Sequence, residues 1–177
     1  VTEEITGVDL VELQLRVASG EAIPLKQEEL SINGHAIEAR LYAEDPAKGF
    51  LPSTGRLDTF HLEGDDYGQR IETGVEEGGE VSPFYDPMIA KIIKHDDSRD
   101  HAIEGLQRMI EESFLAPLST NMAFLYECLD CEPFRSANLD TGLIERLGAD
   151  LLGGEVSEAL AGEGLDQLLS YSAIDLD

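Results

Sequence analysis

Between residues 35 and 44 the chain alternates apolar and polar positions with a period of two. Ile37, Ala39, Leu41 and Ala43 fall on one face, and Glu38, Arg40, Tyr42 and Glu44 fall on the other. A strand has that period, so the four polar side chains stand in one row. Residues 28–32 also read as a strand, and Asn33-Gly34 between the two is a two-residue hairpin signal. This predicts that 35–44 returns antiparallel to 28–32. Asp45-Pro46 ends the long strand, and 47–54 is a loop containing Pro52. Further strands are predicted at 55–62, 69–73 and 88–94. An acidic turn at 63–68, Gly78-Gly79 and the irregular stretch 82–87 with two prolines separate them.

The helical period appears on both sides of this region. Val8, Val11, Leu15 and Ala18 make a stripe over 6–19, with Asp9 and Glu12 at capping-box spacing and Gly20 at the stop. Residues 98–112 carry Ala102, Ile103, Leu106, Met109 and Ile110 at helical spacing. Ser119 or Thr120 is expected to cap a second helix through Leu129, and Asp140 to open a third that ends near Gly148. The stretch 153–177 is acidic, with helical-looking pieces and glycines. Helix, then strands, then helices predicts an α+β architecture. The first helix stands apart from the β unit and is expected to belong to a different domain.

Charge changes the weight of single residues. The chain has 177 residues with 37 acidic and 12 basic side chains, a net charge of −25. Such a surface repels nucleic acid and anionic membranes. No run of about 18 apolar residues exists to span a bilayer. The only lysines are Lys26, Lys48, Lys91 and Lys94. Two readings of the acidity stay open, adaptation to concentrated salt and an ordinary acidic surface. An anionic substrate would need local positive charge, so each arginine matters more. Arg40, held between two carboxylates on a strand, is an always-charged anion ligand with a planar fork of donors. Without further information the same residue reads as part of a surface ion-pair ladder.

The two cysteines, Cys128 and Cys131, are spaced C-x-x-C. The spacing allows redox chemistry or half a zinc site, but no histidine pair stands at finger-like spacing to complete four ligands. The pair falls at the end of a helix rather than the start, where a thiolate would be stabilised. No metal site is expected, and two unpaired cysteines suit a reducing compartment.

Four motifs occur in order: VTEEITGVDLVELQLRVASGE from Val1, GHAIEARLYAEDP from Gly34, FLPSTGRL from Phe50 and VSPFYDPMIAK from Val81. In this order and spacing the chain resembles biotin carboxylase, over roughly residues 1–147. RIETGVEEGGEVSPFYDPMIAK looks most like the acyl-CoA carboxylase α subunits of the 3-methylcrotonyl-CoA type. Propionyl-CoA, acetyl-CoA and pyruvate carboxylases are near relatives of that type. The resemblance implies a biotin carboxylase C-terminal domain at 28–148, a mainly antiparallel β unit with packed helices. It implies the last helix of an ATP-grasp domain at 1–27, and it leaves 149–177 as an acidic tail or linker.

The implied reaction is an ATP-dependent ligation that joins bicarbonate to a ureido nitrogen of biotin. Anionic oxygens must be held, and negative charge on the ureido oxygen must be stabilised, in a water-poor site. Arg40 matches the family's arginine for bicarbonate and biotin. Glu38 and Glu44 are expected to support it, and Tyr85 and Asp86 lie in the loop that approaches the site. Tyr67 and Arg70 match a homodimer contact of bacterial members, where phenylalanine is commoner at the first position. The family's metal-binding carboxylates, catalytic glutamate and further arginine would lie just before Val1, and most MgATP contacts further upstream. No G-x-G-x-x-G or P-loop pattern is present, and no lysine follows a methionine as in a biotinylation site. Biotin is therefore expected on a separate biotinyl carrier domain, with a carboxyltransferase subunit as a further partner. Self-association is expected as well. The compartment implied is the cytoplasm, or the mitochondrial matrix in a eukaryote. This stretch alone is expected not to turn over; the rival reading is a non-catalytic assembly module.

Overall fold

A computed structural model describes residues 1–64 and 67–151. Two short helices, α1 (Thr2–Thr6) and α2 (Leu10–Ala18), precede strands β1 (His35–Tyr42) and β2 (Glu44–Asp45). Strands β3 (Leu51–Pro52), β4 (Gly55–Arg56), β5 (Thr59–His61), β6 (Gln69–Thr73), β7 (Glu80–Val81) and β8 (Met88–Asp96) follow. The described chain ends with α3 (Arg99–Glu111), β9 (Phe114–Ala116), α4 (Met122–Asp130), α5 (Glu132–Arg135) and α6 (Leu143–Leu147). This is the α+β architecture expected from the order of periods. The predicted helical pieces of 153–177 and the centre of the turn at 63–68 lie outside the described residues.

The main sheet has the order β1-β8-β6 and is antiparallel throughout. Its inner face carries Ile37, Ala39 and Leu41 from β1 and Ala90 and Ile92 from β8, all buried. Helix α3 covers that face with Ala102, Ile103, Leu106, Met109 and Ile110. Ser98 starts α3, its hydroxyl accepting from the His101 amide at 3.2 Å. Gly105 gives the close approach: a Cβ there would stand 2.5 Å from Lys94 Cε. The Lys94 stem runs beneath the helix and its Nζ donates to the Tyr67 carbonyl at 2.8 Å. A buried ammonium is tolerable only with such partners.

Several sequence expectations are corrected. The single helix over 6–19 is two helices, because Gly7 takes a left-handed φ of 70° and Asp9 caps a fresh start, accepting from the Glu12 amide at 2.8 Å. The predicted strand at 28–32 is a single 3-10 turn at Gln27–Glu29. Strand β1 therefore pairs with β8, from His35↔Asp96 to Tyr42↔Met88, and not with 28–32. The tight turn at Gly34 is real: φ is 63°, and a Cβ would meet the Asp96 carbonyl oxygen at 2.3 Å. The chain leaves that turn toward a partner sixty residues away in sequence, because β8 can bury both faces of a sheet and the polar 28–32 stretch cannot. The predicted strand over 55–62 is two pieces, β4 pairing with β7 and β5 with β9. Strand β9 has no counterpart in the sequence reading. Residues 119–120 do not cap α4; Asn121 occupies the N-cap position.

Candidate functional site: the outer face of the sheet around Arg40

The register places three residues of adjacent strands in each row. Arg40 of β1 stands opposite Lys91 of β8, which stands opposite Glu72 of β6. In the next row Glu38, Ile93 and Arg70 line up. These are the outer-face positions. The alternation read from sequence holds: Ile37, Ala39, Leu41 and Ala43 are buried, and Arg40 is exposed between half-buried Glu38 and Tyr42.

Arg40 donates its Nε–H to Glu38 Oε1 at 3.0 Å, and its side chain is 61% exposed. The carboxylate of Glu38, above all through that hydrogen bond, raises the guanidinium pKa further, and the neighbouring Tyr42 adds to it. The group is thus a permanent cation held beside Glu38 and Tyr42, with most of the side chain still open to solvent. Glu44, on β2, lines the same cleft, and partial burial together with the charge of Asp86 raises its carboxyl pKa. Asp86 is fixed in the loop before β8, its Oδ1 accepting from the Met88 amide at 2.9 Å. The Ala43 amide donates to the Pro87 carbonyl at 2.9 Å, which brings that loop to the end of β1. Tyr85 is exposed at the loop tip beside Phe84.

Beside the free edge of β1 is a cleft of about 290 Å³. Glu38, Arg40, Tyr42 and Glu44 form its polar side, and Phe50, Phe124 and Phe134 its apolar side. Phe50 and Phe124 meet edge to face with ring centres 5.0 Å apart. Asn121 and Cys128 also line it, and neither was a sequence candidate for the site. Asn121 was legible in part, since an asparagine ahead of the apolar run MAFL signals a helix start. The aromatic wall joins residues more than seventy positions apart and left no local signal. Burial pushes the Cys128 thiol pKa up to about 12, which suits a packed thiol rather than a nucleophile.

Arg70 lies on the same face with different company. It donates from Nη1 to Glu3 at 2.6 Å and to Glu4 at 3.1 Å, and from Nη2 to Glu72. It therefore ties α1 onto the outer face of the sheet. Tyr67 is almost fully exposed at the turn leading to β6. Of the expected contact pair, Tyr67 faces solvent and Arg70 is 36% exposed and bonded to carboxylates of its own chain.

A sheet whose one face is closed by α3 and whose other face carries a fixed arginine beside a cleft has known counterparts. Residues 38–146 match the family described as biotin carboxylase C-terminal domain. The chain is 46% identical over 178 residues to the mitochondrial methylcrotonoyl-CoA carboxylase subunit alpha of Oryza sativa subsp. japonica, covering 98% of this chain and 24% of that protein. It is 44% identical over 145 residues to the biotin carboxylase of Halalkalibacterium halodurans, covering 81% of this chain and 31% of that protein. Among solved structures, the biotin carboxylase domain dimer of Hydrogenobacter thermophilus 2-oxoglutarate carboxylase, in complex with MgADP, ADP and bicarbonate, superposes with a TM-score of 0.83. It shares 34% identity and covers 88% of this chain and 34% of that one.

The class defined by fold and family match is thus the C-terminal domain of the biotin-dependent carboxylases. This chain belongs to the biotin carboxylase C-terminal domain family. It spans about a fifth to a third of the length of the relatives it matches. Among the described residues no group of three or more His, Cys, Asp or Glu side chains is placed to hold a metal ion. No helix among the described residues is long and apolar enough to cross a membrane.

Proposed function

We propose that this chain supplies one wall of a biotin carboxylase active site, where Arg40 holds the bicarbonate and stabilises negative charge on the ureido group of biotin. The observation that carries this reading is an arginine paired with one carboxylate, Glu38, and left 61% exposed beside a cleft. A rigid strand, a single ion-pair partner and a permanent charge make a preorganised anion ligand. The side of the sheet supports it too. Helix α1 is tied by Arg70 to the face that bears Arg40, so chain preceding Val1 would approach that same face. Residues 1–27 then read as the end of an ATP-grasp domain, with MgATP bound upstream and biotin presented by a separate carrier domain. Glu38 orients Arg40 directly; Glu44, Tyr85 and Asp86 border the site.

The acyl acceptor favoured is 3-methylcrotonyl-CoA, because the Oryza sativa relative matches at 46% identity along nearly the whole chain. A propionyl-CoA carboxylase alpha chain of Caenorhabditis briggsae matches at 41%, and a carboxyltransferase subunit as partner fits either type. A mitochondrial matrix or cytoplasmic location fits these relatives.

The test is an ATP- and bicarbonate-dependent assay with free biotin. In a full-length enzyme carrying this chain, Arg40→Ala lowers turnover about 10²–10³-fold, the usual loss on removing a charge-stabilising donor. Wild-type turnover in that variant would overturn the reading. The chain of 177 residues alone gives no turnover.

A second reading, assembly through Tyr67, is favoured by one observation: an exposed tyrosine at a turn next to the Arg70 cluster. Light scattering separates the two, since a dimer lost on Tyr67→Ala with catalysis intact supports assembly.

A further inference from the structure

We infer that Asn121 is a positioning residue for Arg40, acting through the backbone of β1. The inference rests on Arg40 being the anion ligand of the site. Strand β1 is an edge of the main sheet, so its outward backbone groups at Arg40 and Tyr42 have no strand partner. Asn121 takes that place. Its Nδ2 donates to the Arg40 carbonyl at 3.1 Å, and its Oδ1 accepts from the Tyr42 amide at 2.9 Å. Its own amide donates to the Tyr42 carbonyl at 3.2 Å. One residue therefore makes three bonds to the two strand residues, as a neighbouring strand would.

Two further observations single out this contact. The ladder on the other side of β1 breaks at the same point, with the register shifting between Leu41 and Tyr42. A bulge re-aims the local strand, so just beyond Arg40 the ladder to β8 is interrupted and Asn121 bonds the strand from the other side at that same point. Asn121 also forgoes its usual task. It sits at the N-cap of α4, where an asparagine side chain ordinarily accepts from the first-turn amides, yet no side-chain cap bond forms. The amide is instead turned onto β1, and the residue is 6% exposed. The side chain leaves the first-turn amides of α4 without a cap bond and satisfies the backbone under Arg40 instead.

The test uses full-length enzyme for kinetics and this chain for spectroscopy. Asn121→Ser offers α4 a capping hydroxyl but is too short to bridge Arg40 and Tyr42, so the fold is kept at some cost in melting temperature while the strand contact is lost. Its bicarbonate-dependent kcat/KM falls about tenfold with the KM for ATP unchanged. Combined with Arg40→Ala, it lowers activity no further than Arg40→Ala alone, because a residue acting through Arg40 has nothing left to act on. In the chain itself, solvent exchange of the Arg40 Nε–H, slowed by Glu38, becomes faster in Asn121→Ser. Unchanged kinetics in a folded Asn121→Ser, additive losses in the double variant, or an unaltered Nε–H signal would each overturn the inference. Full activity in Arg40→Ala would overturn the proposed function instead, and the Nε–H signal would then decide alone whether Asn121 positions Arg40.

Discussion

Arg40 and Arg70 occupy the same face of the same sheet, one row apart, and have opposite fates. Arg70 is surrounded by Glu3, Glu4 and Glu72, and its side chain is 36% exposed. Arg40 has one carboxylate, Glu38, with Tyr42 beside it, and is 61% exposed. A guanidinium has five donors, and three carboxylates occupy them where one does not. Arg70 is thereby spent on holding α1 to the sheet, whereas Arg40 retains donors for a ligand. Two identical side chains on one surface differ in function because of how many carboxylates the surrounding chain brings to each.

The contrast can be broken at several points. The largest effect falls on the platform beneath both arginines. Leu106, fully buried between α3 and the sheet, should cost about 2–5 kcal/mol when replaced by alanine, as cavity-forming core substitutions do. Chemical denaturation would measure it, and both rows should lose order together. Next comes Arg40→Lys, which keeps the charge but loses the fork. It should recover only a minor part of the turnover lost in Arg40→Ala, with the melting temperature unchanged in both variants; steady-state assays and a thermal scan check this.

Arg70→Ala should do the reverse. Its loss is about 1 kcal/mol or less, since its pairs are partly solvated, and biotin carboxylation per folded molecule should hold steady. Faster proteolysis of residues 2–6 would report the release of α1. The smallest effect is on acid stability. Hydrogen bonds from Arg70 hold the Glu3 carboxyl below its ordinary value of 4.5, and Arg70 and Lys91 do the same for Glu72 against its burial. A carboxyl whose pKa is lowered by folding stabilises the fold above its unfolded value and loses that contribution as pH falls. The docking of α1 should therefore weaken below about pH 4.5. In Arg70→Ala this acid-dependent step should shrink, leaving the part that the Leu10 amide sustains on Glu3 and Lys91 on Glu72, which circular dichroism through an acid titration would show.

The N-terminal segment marks where local pattern misleads. Its apolar stripe is regular, yet neither α1 nor α2 buries a residue, and Val11 and Leu15 stand exposed. The period identified a helix but could not supply the surface that would cover it. The opposite holds at 114–116, where three residues form β9 by pairing with β5 across more than fifty positions. So short a strand has no period of its own to read.

Amino-acid order alone determined the α+β class, the inward and outward rows of β1, the helix of 98–112 and the identity of Arg40 as the residue to watch. Each of these rests on a period within a few residues or on a contiguous motif, and both survive without knowledge of the fold. Tertiary structure alone decided that β1 pairs with β8, that Arg70 closes on Glu3 and Glu4, and that the amide of Asn121 turns from its own helix to the strand under Arg40. Those contacts join positions far apart in the chain. Only the assembled sheet, with α1 docked on one face and α3 and α4 packed against it, brings them within hydrogen-bonding distance.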